Sequence, residues 1–402
     1  MKVPGAVSTQ PPVDAPARAV GGRFADLEGY RGLAAVAVVV YHVFQYAETG
    51  QAGLFPTRLD ASYRVVHGLD AFVDLFFVLS AFLLMLPYAR AALSGDPAPD
   101  ARAFVLRRAA RIVPLYLVAV CVVWAFRNPV LPGDLLDLVE HLTFTQVYDE
   151  KRIFFTIGPA WSLAVEVQFY VLLALLGAGV TALCRRVGPR ARLGVLLVTI
   201  AAVAGAGVAW KAVAWYVLEV APTVWPVWFG LPAKLDVFAM GMLLAVVVAS
   251  GAVTVGRTGA LLLRLSGLAV VGYAFATRPY DDGPPVWFHT VAALGFVLVL
   301  AGSVLGPGDR WVRALSTPVP LFLGVISYSL YLWHEPLLLL LAATGVLPPQ
   351  GDPSVLPVGL AVVLPVSVAV AWLSYQVIER PAGLLRVLRD GRGRPRDYYD
   401  GS

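Results

Sequence analysis

The chain reads as an all-α, polytopic membrane protein with about ten transmembrane helices and both termini on the cytoplasmic side. Three observations predict that class. The 402 residues are 58% hydrophobic and only 14% charged, and the mean hydropathy is +0.73, well beyond a water-soluble domain. Apolar runs able to cross a core of roughly 30 Å, at ~20 residues each, recur along the sequence. Arginines cluster in alternate connections, as the cytoplasmic bias of basic residues requires.

Taken in order, the runs fall at 30–49, 68–87, 109–126, 160–181, 192–214, 230–250, 258–276, 286–306, 318–343 and 354–378. The first follows Arg18, Arg23 and Arg31, and the second leads into Arg90, Arg102, Arg107, Arg108 and Arg111. The fourth opens on Trp161, an expected interface aromatic, and closes before Arg185, Arg186, Arg190 and Arg192. Arg257, Arg264, Arg310, Arg313 and the tail from Arg380 continue the basic series. The intervening loops are acidic or mixed, as at Asp134, Asp137, Glu140, Asp149 and Glu150, or at Asp281 and Asp282.

Residues 1–22 are rich in Pro, Ala and Val without an apolar signal-peptide core, so they are expected to form a disordered cytoplasmic tail. Residues 23–385 form one transmembrane domain in this reading, and 386–402 a basic disordered tail. The net charge of +5 is then mainly a topology signal, and basic residues spread over separate loops argue against nucleic-acid binding. Cys121 and Cys184 have neither a metal spacing nor a likely pairing, so no metal site and no disulfide are expected.

Ionisable side chains inside apolar spans cost free energy unless a partner or a water-filled cavity receives them. Arg31 and His42 are eleven residues apart, about 16 Å of helix rise and nearly the same face. Glu166 lies roughly 7 Å below the outer boundary, at a depth similar to Asp74, and His334 occupies the outer half of its span. His42, Asp74, Glu166 and His334 are therefore expected to share one layer. Arg31, Arg107, Arg108 and Arg111 form a basic mouth at the cytoplasmic boundary, where guanidinium groups suit phosphates. His67, His141 and His289 fall in or near outer loops and are expected to take no part.

In sequence order these motifs resemble the acyltransferase 3 family of integral membrane O-acyltransferases. The resemblance rests on Arg31 and His42 in an Arg-x10-His spacing, Asp74-Leu-Phe-Phe-Val-Leu-Ser80-Ala-Phe82, and Arg108-Ala-Ala-Arg111-Ile-Val-Pro-Leu-Tyr116. Trp161-Ser-Leu through Glu166-Val-Gln-Phe-Tyr170, Ser327 through Pro336, and Ile378-Glu-Arg-Pro381 complete it, over roughly residues 24–381. Ala81 departs from the glycine usual after the serine, and its methyl narrows the space for helix packing.

The resemblance implies transfer of an acyl group, commonly acetyl, from cytoplasmic acyl-CoA as donor to a hydroxyl, with no permanently bound cofactor. Arg31, Arg108 and Arg111 are expected to hold the CoA phosphates, and His42 to act as general base with Glu166 orienting it, or as an acyl-carrying nucleophile. Asp74, Ser80, Trp161, Tyr328 and His334 are expected to bind substrate or support the site, with Ser80, Tyr328 or Ser329 as oxyanion donor. Each has a plainer alternative: the arginines as topology anchors, Asp74 and Glu166 as interhelical hydrogen-bonding groups, His334 as packing.

The favoured acceptor is a sugar or glycoconjugate hydroxyl of a bacterial cell envelope, with a macrolide-type secondary metabolite second. Membrane lipid is an expected partner, and, because the chain ends soon after Arg380-Pro381, the protein is expected either to work alone or to hand its acyl group to a separate extracytoplasmic transfer protein. Only four of 31 basic residues are Lys, which with the Ala, Val and Gly richness suggests a GC-rich bacterial genome. A secondary transporter would also have ten spans with buried charges, but it should show duplicated halves with broken helices, and no duplication is visible.

Overall fold

The computed structural model describes residues 25–48, 61–278 and 286–382; the two tails expected at 1–22 and 386–402 lie outside the described residues. Every regular element among them is helical. The helices are α1 (Ala25–Glu48), α2 (Ala61–His67), α3 (Phe72–Ser94), α4 (Ala101–Arg127), α5 (Leu135–Leu142), α6 (Ala160–Arg186), α7 (Pro189–Tyr216) and α8 (Trp225–Phe229). They continue with α9 (Leu231–Ser250), α10 (Arg257–Thr277), α11 (Phe288–Val304), α12 (Arg310–Leu315), α13 (Pro318–Val325), α14 (Ser327–Ala343) and α15 (Val355–Ser374), the last running into a π-helical turn, Tyr375–Glu379.

Eight of these stretches are long and apolar enough to cross a membrane, and α13 with α14, bent by 70° at one residue, makes a ninth. The seventeen-residue α11 occupies the place of the remaining expected span. The protein is an all-α, multi-pass membrane protein. The expected ninth span differs from its sequence reading in being broken at Ile326, which delivers the Ser327–Pro336 motif on a helix of its own.

Local chemistry sets the ends. Gly95 closes α3 at φ 84°, a left-handed conformation that an L side chain resists, and Asp100 caps α4 by accepting from the backbone N–H groups of Arg102 and Ala103. Proline begins α7 and α13, where no intrahelical N–H bond is lost.

At the centre α3 packs on α9, α6 and α1, and 72% of its most apolar stretch is buried, against 17% for α7 on the periphery. α1 lies against α13, α14 and α15. The α1–α13 approach depends on glycine: a Cβ at Gly324 would strike the backbone carbonyl of Glu28, and one at Gly32 would come within 2.7 Å of the Pro320 oxygen. The Ala81 methyl is received by Gly241 of α9, so the departure from glycine in α3 is matched by a missing side chain opposite.

Candidate active site

Because successive spans alternate in direction, the chain sorts its polar residues into two ends. Arg31, Arg108 and Arg111 belong to the half nearer the start of α1, Asp74, Lys211, Lys234 and His289 belong to the opposite end, and Glu166 lies on the cavity wall between them. The two histidines lie between.

A cavity opens among α1, α3, α6 and α14, lined by Arg31, Phe76, Ser162, Glu166, Ser327 and Tyr331 among others. Arg31 lies over the Phe76 ring at 5.9 Å; its Nε is 3.8 Å from Glu28 and makes no hydrogen bond. Arg108 and Arg111 form no ion pair within 4 Å among the described residues. Three guanidinium groups are thus left with donors to offer.

Glu166 is placed otherwise than expected. Its Oε1 accepts from Ser80 Oγ and from Tyr170 OH, while the His42 ring has different partners. The expected Glu166–His42 pair is replaced by His42 with His334. His42 Nδ1 lies 2.9 Å from the Val38 carbonyl and 3.1 Å from His334 Nε2. His334 Nδ1 lies 3.2 Å from the Leu330 carbonyl.

Those contacts assign the protons. A carbonyl only accepts, so both Nδ1 atoms carry hydrogen. His334 Nε2 is then a lone pair that accepts from His42 Nδ1–H, shared with Val38. His42 Nε2 is left as a lone pair with no hydrogen bond among the described residues. This is the tautomer a general base needs, and it is held by a second imidazole where many bases have a carboxylate. His334 is fully enclosed, its ring 5.8 Å from Tyr331, and Tyr331 meets both Phe76 and the Ser162 hydroxyl at 2.7 Å. The cavity wall thereby runs on to the histidine pair.

The remaining expected residues are dispersed. Asp74 is buried and takes His289 Nδ1 at 2.7 Å, so it does not join His42, and His289, expected to be a bystander, is its partner. Trp161 is half-buried against Phe77, Phe229 and Lys234 and not simply at an interface. Of the three expected oxyanion donors, Ser80 is spent on Glu166, Tyr328 on the Ile112 carbonyl at 2.8 Å, and Ser329 on Glu379. Ser327, buried on the cavity wall, offers a hydroxyl without a partner among the described residues. It is seven residues from His334, about 10 Å of helix rise, so it serves the length of the cavity and not the reacting end. Lys234 was missed; a lysine at the apolar start of a span was the available signal. Among the described residues no cluster of His, Cys, Asp or Glu could hold a metal ion.

The chain is 24% identical over 379 residues to "O-acetyltransferase OatA" of Staphylococcus aureus (strain NCTC 8325 / PS 47), covering 88% of the chain and 56% of the relative. It is 27% identical over 371 residues to "Putative membrane-bound transacylase BcsY" of Komagataeibacter xylinus, covering 88% and 82%. The chain therefore spans little more than half the length of its OatA relatives. No solved structure matches. These relatives are bacterial, and with its apolar helices the chain is placed as a multi-pass protein of a bacterial cell membrane. The acyltransferase-domain model Acyl_transf_3 matches residues 24–375, nearly the whole described helical body, and the chain belongs to that family.

Proposed function

We propose that the protein is an O-acyltransferase that takes an acyl group, in the first instance acetyl, from acyl-CoA and passes it to a hydroxyl of a sugar or glycoconjugate. The observation that carries this reading is the lone pair of His42 Nε2, fixed by His334 next to the wall of a cavity lined by Arg31, with the unpaired Arg108 and Arg111 at the same end of the helical body. In this reading the arginine end faces the cytoplasm, as the basic loops favour. Arg31, Arg108 and Arg111 bind the CoA phosphates, and the pantetheine arm passes Ser327 and Phe76 toward the histidines.

His42 Nε2 removes the acceptor hydroxyl proton as the oxygen attacks the thioester carbonyl. The tetrahedral intermediate expels the CoA thiolate, which takes the proton from the His42 imidazolium. His334 Nε2 supports that imidazolium through Nδ1–H. Glu166, tied to Ser80 and Tyr170, acts as a positioning group and counter-charge for Arg31 in the cavity wall. The same Nε2 would carry the acyl group in a two-step route.

Acyl-CoA turnover by the purified protein in lipid, followed by free CoA release and by mass spectrometry of the protein, tests the reading. His42→Ala is expected to lose roughly a thousandfold in kcat with CoA binding retained. Undiminished turnover in that variant removes His42 from the chemistry, and absence of CoA binding in both proteins removes the donor assignment.

A further inference from the structure

Lys234 stands in the first turn of α9. It is 2% exposed, and among the described residues its ammonium makes neither a hydrogen bond nor an ion pair. Its surroundings are two aromatic faces, with Nζ 5.5 Å from the Trp161 ring centre and 5.6 Å from that of Phe229.

Each carboxylate of the same end has another close partner. Lys211 Nζ reaches Asp236 Oδ2 at 2.6 Å, with Thr290 bridging the two. Arg278 binds both oxygens of Asp70, and His289 takes Asp74. Asp236 stands two residues from Lys234 on α9, so it projects to another side of the helix, where its Oδ1 faces Gly207 of α7. The aromatic faces offset only part of the cost of burying an ammonium. What the position lacks is an oxyanion.

The aromatic surface extends both ways. Trp161 packs edge-on against Phe77, which lines the cavity of the proposed acyl transfer. On the other side Phe229 meets Phe154 and Trp225, and Phe154 is exposed. A continuous set of rings therefore leads from the surface, past Lys234, to the cavity wall. Aromatic faces suit the C–H faces of a pyranose, and one unpaired ammonium suits an acidic substituent.

We propose that Lys234, Trp161 and Phe229 form the acceptor subsite and bind an oxyanion, carboxylate or phosphate, carried by a glycan acceptor. Its assignment to the acceptor rests on the acyltransferase reading. Lys234 donates to the oxyanion, the rings flank the sugar, and the hydroxyl to be acylated is directed toward the cavity.

Calorimetric titration of the full chain in phosphatidylcholine nanodiscs with methyl β-D-glucuronide, glucose 1-phosphate and methyl β-D-glucoside tests the proposal. The wild type is expected to prefer a charged glycoside by roughly tenfold, the preference to vanish in Lys234→Gln and to return in Lys234→Arg. Equal affinity for charged and neutral glycosides in the wild type, or binding of neither, overturns it even if the variants fail to fold. A preference retained in Lys234→Gln also overturns it. Displacement of the glucuronide by phosphatidylglycerol in the nanodisc assigns the oxyanion to a lipid headgroup and overturns the acceptor assignment. CoA binding on the same samples separates the two readings: CoA bound without a glycoside preference removes this subsite alone, whereas a glycoside preference without CoA binding removes the acyl transfer and leaves the oxyanion site.

Discussion

Lys234 apart, the two ends of the helical body treat charge in opposite ways. At the end carrying Asp74 and Lys211, three carboxylates each have a close side-chain partner: Asp236 has Lys211, Asp70 has Arg278 and Asp74 has His289. At the end carrying Arg31, Arg108 and Arg111, no guanidinium is within 3.5 Å of a carboxylate among the described residues, and Glu166 is occupied by two hydroxyls. Both arrangements bury ionisable groups, so burial alone does not mark function. What separates them is whether each charged group already has a close partner. A closed pair holds helices together; an open one waits for a ligand.

The comparison breaks most sharply at Lys211. Removing one member of a closed buried pair strands the other, so Lys211→Met is expected to destabilise the protein by about 3 kcal/mol, with recovery in the double variant Lys211→Met, Asp236→Leu. Thermal unfolding in detergent reads both. A double variant no more stable than the single one would show that the pair is not the closed unit described.

The open end should respond in binding. Arg31→Gln together with Arg108→Gln is expected to weaken CoA affinity by roughly a hundredfold while leaving the melting temperature nearly unchanged, because neither side chain holds a close carboxylate. A large loss of stability with CoA affinity intact would move these arginines into the structural class.

His334 sharpens the middle of the comparison. It is enclosed like the closed pairs, yet its one free acceptor is spent on His42. His334→Leu is expected to lower kcat by roughly thirtyfold with the donor KM unchanged, and His334→Gln, whose amide oxygen can also accept from Nδ1–H, to recover part of it. Equal losses in the two variants would reduce His334 to a packing role.

Much of this was legible in the sequence. Apolar length gave the spans, and the eleven-residue interval placed Arg31 and His42 on one side of α1. Depth also placed His334 near His42, but depth fixes one coordinate of three. Glu166 and Asp74 lie at plausible depths, and only the rotation of α6 and α3 about their axes hands Glu166 to Ser80 and Asp74 to His289. The break at Ile326 was hidden because the run across 318–343 is uninterrupted in hydropathy. Lys234 was hidden for the opposite reason. A single lysine in an apolar run is read as tolerated, and its missing partner is visible only once every neighbouring carboxylate has been assigned.

The smallest effect lies outside both layers, in the connection before α5. Asp134 caps that helix by accepting from the Asp137 N–H at 3.0 Å, and its other oxygen takes Arg152 Nε at 3.0 Å. The Asp137 backbone N–H, aided by Arg152, holds the Asp134 carboxyl below the usual carboxylate range. A lowered folded pKa means a contribution present above the ordinary carboxylate pKa and lost as pH falls through the folded value. The pair is open to solvent, so the cap and not the charge sets its size, about 1 kcal/mol. Hydrogen exchange of the α5 amides should therefore lose roughly fivefold protection in Asp134→Ala at pH 7, with the difference gone in acid below the folded pKa. A difference that persists unchanged in acid would mean that the ionised carboxylate is not what holds the turn, and that closure at the surface follows a different rule from closure in the buried layer.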